Sequence, residues 1–294
     1  MRPGLVAALA AFALSACSSG PVSDIGPIVT APVSFDDARA VFSAIADVPY
    51  TPDEQVQLAA IVESHNAVAR PSLLVHLGDL KSQGLADCTE DDYTLVAGLL
   101  RPSRVPVFIL PGDNEWNDCP NPDEAWTWWT ASFDAFDAGW PFEPSVTRQE
   151  GRTTNFSFVL ESVLFVGLHL VGGRVHDADE WAARHQADAD WLDRSLAANP
   201  AVDALIVLGH AAPSSDHDDF MERFKASAEA FGKPVLYLHG DGHRWIEDRP
   251  FGLDNLYRIQ LDSGGVPPLM LGFDPAHEPP FIYERALFEV HAAD

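Results

Sequence analysis

Five apolar runs in this sequence each lead into acidic or imidazole side chains, and this pattern constrains the fold more than any other feature. The clearest run is residues 73–78, which is followed by Asp79. A short apolar run bounded by turn residues is typical of a buried parallel strand, and open α/β sheets bind ligands beyond the carboxyl ends of such strands. Asp79 is therefore predicted to be the centre of a metal site. The other runs are residues 41–46 before Asp47, 105–111 before Gly112 and Asp113, 204–209 before His210, and 234–238 before His239 to His243.

The remaining segments alternate between strand and helix patterns. Helices are predicted near residues 52–69, 90–101, 122–136, 178–198 and 217–231, where apolar side chains recur on one face. Residues 154–160 and 163–171 resemble an antiparallel pair, and the alternating stretches 255–261 and 281–291 complete the chain. This order predicts an α/β fold in which two sheets are covered by helices.

The charge of the chain excludes some partners. The 294 residues carry 44 acidic and 18 basic side chains, for a formal charge of −26. Such a surface repels nucleic acid and anionic lipid, so neither is expected to bind the folded domain. Because 47% of the residues are apolar, a sizeable core is expected. A phosphorylated substrate would need local positive charge, which bound divalent cations could supply.

The amino terminus resembles an export signal. Arg2 precedes an apolar stretch over residues 5–14, and Leu14-Ser15-Ala16 leads into Cys17, as in a bacterial lipobox. The stretch is too short to span a bilayer. Residues 1–16 are therefore predicted to be a lipoprotein signal peptide, with lipid attached to Cys17; an ordinary signal peptide cut nearby is the alternative. Residues 17–37, rich in Ser, Pro and Gly, are predicted to form a flexible tether, and residues 38–294 a single domain.

Two further cysteines, Cys88 and Cys119, lie in loops that follow predicted strands. In an exported protein such a pair is expected to form a disulfide. Metal binding by these thiols is the alternative, but their spacing does not support it.

The chain resembles the calcineurin-like metallophosphoesterases, a superfamily that includes the purple acid phosphatases, over residues from about 40 to 290. Members have a four-layer α/β/β/α sandwich of two mixed sheets flanked by helices, with a two-metal centre at the strand ends. The family pattern is Asp-x-His, Gly-Asp, Gly-Asn-His-Asp/Glu, Gly-His and Gly-His-x-His. The corresponding blocks here are 46–50, Gly78-Asp79, Gly112-Asp113-Asn114-Glu115, Gly209-His210 and Gly240-Asp241-Gly242-His243.

The resemblance implies a role for each block. Asp79 would bridge two cations, Asp47 and His243 would bind the first, and Asp113, His210 and Asp241 would bind the second. Oxygen and imidazole ligands suit Mn, Fe or Zn, and the high oxygen content favours harder cations. Two adjacent metals can activate water and stabilise both oxygens of an in-line displacement, which is the chemistry of phosphoester hydrolysis.

Several positions depart from the family pattern. Pro49 replaces the histidine of Asp-x-His, and Tyr50 is a candidate replacement ligand. Asp113 replaces an asparagine ligand and Asp241 a histidine ligand. Asn114 stands where the catalytic histidine is expected; it can hydrogen-bond a phosphate oxygen but cannot protonate a leaving group.

Other histidines provide alternatives that the sequence leaves open. His239 either orients a metal ligand without binding the metal itself or has no such role. His76 is predicted to be a core residue. His169, His176 and His217 are each candidates for the missing acid. Arg174 is a candidate for contacting phosphate.

The sequence therefore predicts an exported, lipid-anchored metallophosphoesterase that acts on a phosphorylated small molecule or another phosphoester and contacts the membrane only through its anchor. The alternative is a lipid-anchored protein of the same fold that binds metal and a phosphate ligand without catalysis. A serine hydrolase is disfavoured because the sequence contains no Gly-x-Ser-x-Gly turn.

Overall fold

A computed structural model describes residues 33–68, 70–82, 88–264 and 267–285. The predicted signal peptide, Cys17 and most of the predicted tether lie outside these residues. Phe35 is already buried and packs with Val41, Met270 and Ile282. The apolar side chain of Phe35 is therefore part of the folded region, and the tether and domain bounds at residues 37 and 38 stay predictions.

The first sheet contains five strands among the described residues, in the order β12-β11-β1-β2-β3. Strands β1, β2 and β3 are parallel, whereas β11 and β12 add antiparallel neighbours at the β1 edge. Their bounds are β1 Arg39–Ile45, β2 Leu74–His76, β3 Val107–Ile109, β11 Leu269–Phe273 and β12 Phe281–Glu284.

The second sheet contains seven strands within the same described ranges, in the order β4-β5-β6-β7-β8-β10-β9. Strands β6, β7, β8 and β10 run parallel, and the other pairs are antiparallel. The bounds are β4 Thr147–Gln149, β5 Arg152–Leu160, β6 Val163–Gly167, β7 Ala204–Leu208, β8 Val235–His239, β9 Ile246–Asp248 and β10 Leu256–Gln260.

Helices cover the outer faces of both sheets. A central core lies between the sheets and includes Phe42, Phe108, Phe165 and Ile206. Helices α1 and α2 pack with α3 on the outer face of the first sheet, and α4 packs with α5 on the outer face of the second. The predicted α/β/β/α sandwich of two mixed sheets is thus confirmed. The helices are α1 Pro52–Ala67, α2 Glu90–Leu100, α3 Pro122–Phe133, α4 Ala178–Ala198 and α5 Asp218–Phe231.

Local sequence explains where the helices begin. Thr51 and Glu54 form a capping box at α1, so two unpaired backbone N–H groups are satisfied reciprocally. Asp177 accepts hydrogen bonds from the backbone of Asp179 and Glu180 at α4. Helix α3 ends at Phe133, three residues before its predicted end, and a 3₁₀ turn follows over Phe136–Gly139.

Three strands, β4, β9 and β11, were not predicted. Strands β4 and β9 are only three residues long and carry exposed side chains, so neither has an apolar run to mark it. None of the helices in the described ranges has the length and apolar character needed to cross a bilayer.

Candidate metal centre

Turns at the ends of five strands present the candidate ligands. Asp47, Asp79 and Asp113 follow β1, β2 and β3 of the first sheet, whereas His210 and the 241–243 turn follow β7 and β8 of the second. The carboxyl ends of these strands meet at one edge of the sandwich, and the predicted ligands therefore come from both sheets.

Four of these residues have a left-handed backbone conformation, with φ of 56° at Asp47, 61° at Asp79, 68° at Asp241 and 55° at His243. Such conformations cost about 1–3 kcal/mol each and cluster at functional sites. The presence of four such residues at one edge of the sandwich is evidence, independent of the sequence motifs, that this edge is a functional site.

The first ligand group consists of Asp47, Asp79 and His243, whose ligand atoms lie within 4.8 Å of one another. The Tyr50 hydroxyl lies among them. It donates to Asp79 Oδ2 at 2.8 Å and lies 3.0 Å from His243 Nε2 and 3.3 Å from Asp47 Oδ1. The Tyr50 hydroxyl therefore lies beside the first ligand group, as expected for a replacement of the missing histidine ligand. Metal binding by Tyr50 stays a prediction.

The second ligand group consists of Asp79, Asp113 and His210, with ligand atoms again within 4.8 Å of one another. His210 Nδ1 lies 2.8 Å from the Leu77 carbonyl oxygen, which orients the ring. His210 Nε2 lies 3.1 Å from Asp113 Oδ1 and 3.3 Å from Asp79 Oδ1. Asp79 belongs to both groups, and its predicted role as a bridge between two cations stays a prediction.

Burial makes this concentration of negative charge costly. Burial raises the pKa of Asp113 to about 6, and the nearby Asp79 carboxylate adds to that effect. Burial also raises the pKa of Asp47. Burial opposes a charge on His210, but Asp79 and Asp113 outweigh it and raise its pKa well above the usual value. Bound cations would offset the same repulsion between carboxylates.

The chemistry of the residues present fits divalent cations. Asp47 Oδ2 is buried and has no hydrogen-bond partner among the described residues, although an unpaired buried carboxylate oxygen is costly. Carboxylate oxygens and imidazole nitrogens are the ligands that Mn, Fe and Zn accept.

Two glycine positions allow close approach to the ligands. A Cβ at Gly112 would clash with Asp79, and a Cβ at Gly173 would lie 2.5 Å from Asp113 Oδ2. Gly112 belongs to a predicted motif. Gly173 was missed by the sequence analysis, because only the folded chain brings residues 172–173 against the ligands.

Glu115 is a second residue whose role the motif alone did not reveal. Its carboxylate accepts hydrogen bonds from the backbone N–H groups of Asp79, Leu80 and Gly112, at 3.2, 3.1 and 2.5 Å. Burial raises the pKa of Glu115 to about 8, and the Asp79 charge contributes. Glu115 therefore joins the turns after β2 and β3 and fixes Asp79 relative to Asp113.

Asn114, the predicted catalytic residue, contacts the Asp79 carboxylate. Its side-chain amide donates to Asp79 Oδ2 at 2.7 Å, and its backbone N–H donates to Asp79 Oδ1 at 3.1 Å. The side chain lies beside both ligand groups. Its proposed contact with substrate stays a prediction.

Asp241 and His239 lie close to the centre but outside both ligand groups. The Asp241 carboxylate accepts from the Ala212 backbone at 3.1 Å, and its own N–H donates to Asp47 Oδ1 at 3.1 Å. His239 is buried, with Nδ1 2.9 Å from the Gly240 carbonyl oxygen. Metal binding by Asp241, and either role for His239, stay predictions.

His76 is buried as predicted and has contacts at both ring nitrogens. Nε2 lies 2.8 Å from the Val48 carbonyl oxygen, and Nδ1 accepts from the Gly78 backbone at 3.2 Å. Its ring connects the turn that carries Asp47 with the turn that carries Asp79.

The predicted disulfide between Cys88 and Cys119 is present, with 5.8 Å between the Cα atoms. The Cys88 and Cys119 sulfurs lie 3.7 and 3.6 Å from the Asn114 carbonyl oxygen. The bond therefore packs directly behind the turn that carries Asn114.

The remaining sequence candidates lie outside the two ligand groups found in the described ranges. The His217 ring lies 3.2 Å from His185, which contacts Asp219 at 2.7 Å. His169, His176 and Arg174 line a separate cavity. None of these contacts identifies a replacement for the missing acid.

Comparison with known proteins agrees with the fold. The sequence matches the family model described as calcineurin-like phosphoesterase over residues 22–245. No curated protein matches it at a significant level.

Solved structures that are similar to this chain have low sequence identity to it. A 5′-nucleotidase from Candida albicans is 14% identical with a TM-score of 0.53, covering 83% of this chain and 50% of the nucleotidase. GAP50 of Plasmodium, described as the anchor in the inner membrane complex, is 10% identical with a TM-score of 0.51, covering 86% and 90%. TT1561 of Thermus thermophilus is 13% identical with a TM-score of 0.49, covering 84% and 99%.

Proposed function

Because the chain belongs to the calcineurin-like phosphoesterase family, we propose that it hydrolyses a phosphoester, monoester or diester, at a two-metal centre. One observation carries this proposal. Two groups of three ligands, each with its ligand atoms within 4.8 Å, share the Asp79 carboxylate.

Asp47, Asp79 and His243 would hold one cation, and Asp79, Asp113 and His210 the other, with Asp241 close by. Mn, Fe and Zn remain the candidate metals. When bound, such a pair supplies Lewis acidity for the phosphoryl oxygens and for the attacking water.

The protein's own groups would orient the ester. The Asn114 side-chain amide donates one N–H to Asp79 Oδ2, and its second N–H can donate to a phosphoryl oxygen. Since an amide cannot protonate a leaving group, esters with a low-pKa leaving group should react fastest. The dependence of the hydrolysis rate on the pKa of the leaving group is therefore a direct test of the role of Asn114.

The experiment is to remove metal from the purified protein and restore Mn, Fe and Zn one at a time while following 4-nitrophenyl phosphate and bis(4-nitrophenyl) phosphate. At least one metal should restore hydrolysis. Asp79→Asn should lose at least about 100-fold in rate, a loss typical of removing one strong electrostatic contribution. Asp190→Asn, which changes a half-buried ion pair with Arg223 on the helices α4 and α5, should retain activity. Failure of every metal to restore cleavage of either ester would refute the proposal.

A second candidate function is metal and phosphate-ligand binding without turnover. It is favoured by the pairing of Asn114 with Asp79 and by Pro49 at the family histidine position. GAP50, which shares the fold, is described as an anchor. Metal-dependent binding of orthophosphate by calorimetry, with no cleavage of either ester, would support this function over hydrolysis.

We further propose that the protein is exported and anchored to a membrane through lipid on Cys17, in the periplasm or at the cell surface. The lipobox-like sequence before Cys17 and the Cys88–Cys119 disulfide support this, since disulfides persist in oxidising compartments. Metabolic labelling with a radioactive fatty acid should mark the wild type but not Cys17→Ala. Equal labelling of both would refute lipid attachment at this residue.

A further inference from the structure

The turn that follows β3 begins at the candidate metal centre and ends at the disulfide. Asp113 and Asn114 open this turn, and Cys119 closes it. The Asp113 carbonyl oxygen accepts from the backbone N–H groups of Trp116 and Asp118, at 3.1 and 3.0 Å. The Trp116 carbonyl oxygen accepts in turn from the Cys119 N–H at 3.1 Å. Residues 113–119 are therefore one hydrogen-bonded unit, in which a displacement of Cys119 is transmitted to Asp113.

The disulfide joins this turn to helix α2. Cys88 precedes Thr89, the N-cap residue of α2, and is bonded to Cys119. Both cysteines belong to one buried cluster with side chains of α1, α2 and α3, so the helix is fixed in the core. Tyr93 of α2 also donates its hydroxyl to the Glu115 carbonyl oxygen at 2.8 Å. The disulfide therefore holds the turn against a fixed element of the fold.

Asn114 connects the disulfide to the Asp79 carboxylate. Its carbonyl oxygen lies 3.7 and 3.6 Å from the Cys88 and Cys119 sulfurs. Its backbone N–H and side-chain amide donate to the two oxygens of Asp79, at 3.1 and 2.7 Å, and Asp79 belongs to both ligand groups. Two separate thiols cannot stay at bonding distance, so breaking the bond must move at least one sulfur relative to the Asn114 oxygen. One residue therefore carries that movement to the ligands.

Glu115 provides a second constraint on the same turn. Its carboxylate accepts from the backbone N–H groups of Gly112 and Asp79, and these hydrogen bonds do not involve the cysteines. Glu115 therefore fixes the start of the turn, whereas the disulfide fixes its end. Loss of the disulfide is expected to weaken metal binding without abolishing it.

We propose that Cys88 and Cys119 are positioning residues of the metal centre. In the disulfide form they hold Asn114 and Asp113 where divalent cations bind tightly, and in the dithiol form they do not. Full metal affinity is then reached only in an oxidising compartment, where disulfides persist. This inference rests on the proposed metal centre and is independent of whether the centre hydrolyses an ester.

The change between the two forms is thiol–disulfide exchange with a dithiol reductant. Cys88 is 9% exposed and Cys119 1%, so the reductant's thiolate attacks the Cys88 sulfur, the S–S bond breaks, and Cys119 leaves as a thiolate. The second thiol of the reductant then displaces Cys88 and closes the reductant's own disulfide. Two electrons and two protons pass from the reductant to the cysteine pair.

The first test is calorimetric titration with Mn²⁺ and with Zn²⁺. The parent protein carries Cys17→Ala, so that no third thiol interferes. Adding Cys88→Ser and Cys119→Ser should weaken metal binding about tenfold or more, within the range typical of coupling between two sites. Circular dichroism establishes that each protein is folded.

Leu192→Ala in the parent protein is the matched control for stability. Leu192 is buried on α4, in the cluster on the outer face of the second sheet, and its truncation destabilises the fold by leaving a cavity. Since α4 does not carry a metal ligand, this variant should keep the metal affinity of the parent protein.

The second test is the reduction potential of the cysteine pair, which a purely structural disulfide would not couple to metal. If the disulfide raises metal affinity, bound metal must favour the disulfide by the same factor. In mixtures of oxidised and reduced dithiothreitol, saturating Mn²⁺ should make the potential more negative by about 30 mV for each tenfold gain in affinity. Mn²⁺ is the probe here because thiolates bind it more weakly than Zn²⁺.

The outcomes separate this inference from the proposed hydrolysis. Weaker metal binding without the disulfide, together with the shift in potential, supports the positioning role even if neither ester is cleaved, and only the hydrolysis then fails. Equal metal affinities with and without the cysteines, or a potential that Mn²⁺ does not change, overturn it. An equal loss of affinity in Leu192→Ala also overturns it, because lower stability alone would then explain the weaker binding. A parent protein that binds neither metal overturns it together with the metal centre.

Discussion

At the residue scale, the candidate centre depends on backbone conformations that few side chains adopt. Asp79 follows Gly78 in a turn where both residues have positive φ, 61° and 97°. A Cβ at Gly78 would lie 2.6 Å from the Gly112 backbone nitrogen. Packing therefore explains the Gly-Asp pair. Glycine permits the turn after β2 to approach the turn after β3 closely, and aspartate places a carboxylate between the two turns.

Gly173 allows a prediction at this scale. Gly173→Ala would place a methyl carbon 2.5 Å from Asp113 Oδ2 at a φ of 71°, so it should displace that carboxylate and weaken metal binding at least about tenfold. Gly252→Ala is the control, because Gly252 has a φ of 66° but open space around its Cβ position. Metal titration by calorimetry distinguishes the two. Equal affinities would show that Gly173 has no role in shaping the centre.

At the element scale, apolar runs and alternating stretches in the sequence indicated most of the strands, but β4, β9 and β11 were missed. Strands β7 and β8 are buried at every position, so their apolar runs were readable. β11 is also buried throughout, but the preceding Pro267 and Pro268 indicated a loop. Its place between β1 and β12 is set by long-range pairing, which local sequence does not encode.

The disulfide gives an element-scale prediction. It joins the loop after β2 to the loop after β3 across a sequence separation of 31. On the chain-entropy argument, closing a loop of that length stabilises the fold by about 3–4 kcal/mol. The double variant Cys88→Ser, Cys119→Ser should lose about that much free energy of unfolding in urea titrations. A loss below about 1 kcal/mol would contradict the expected contribution.

At the scale of the whole molecule, the order of the five motifs along the chain predicted the candidate site better than any single motif did. The five strand ends identified Asp47, Asp79, Asp113, His210 and His243 as residues that converge, and the fold brings them together. The sequence did not reveal Gly173 beside Asp113 or the cavity at Arg152 and His169. Those contacts arise from the packing of loops. Loops have no periodic pattern of apolar residues from which their contacts could be predicted.

Buried neutral histidines predict how the molecule responds to acid. Burial lowers the pKa of His65 to about 4, below the value of about 6.5 in an unfolded chain. Below pH 6.5 the unfolded state therefore binds a proton that the folded state does not, and stability falls as pH drops from about 6.5 towards 4. The shift corresponds to about 3 kcal/mol.

His65→Leu should remove this contribution. The difference in unfolding free energy between variant and wild type should move by about 3 kcal/mol in favour of the variant between about pH 7 and pH 4. His277→Leu, at an exposed position, serves as the control. A His65→Leu difference that does not change with pH would show that His65 contributes nothing to acid sensitivity.

Carboxylates and imidazoles that are distant in the chain are expected to share a pair of cations. The most direct measurement is the metal content of protein purified without chelators, determined by mass spectrometry for the wild type and Asp79→Ala. About two divalent or trivalent ions per chain are expected for the wild type, and a large loss from both positions for the variant, because Asp79 belongs to both ligand groups. Wild-type protein that binds no metal after reconstitution, or Asp79→Ala that retains both ions, would contradict a metal centre shared through Asp79.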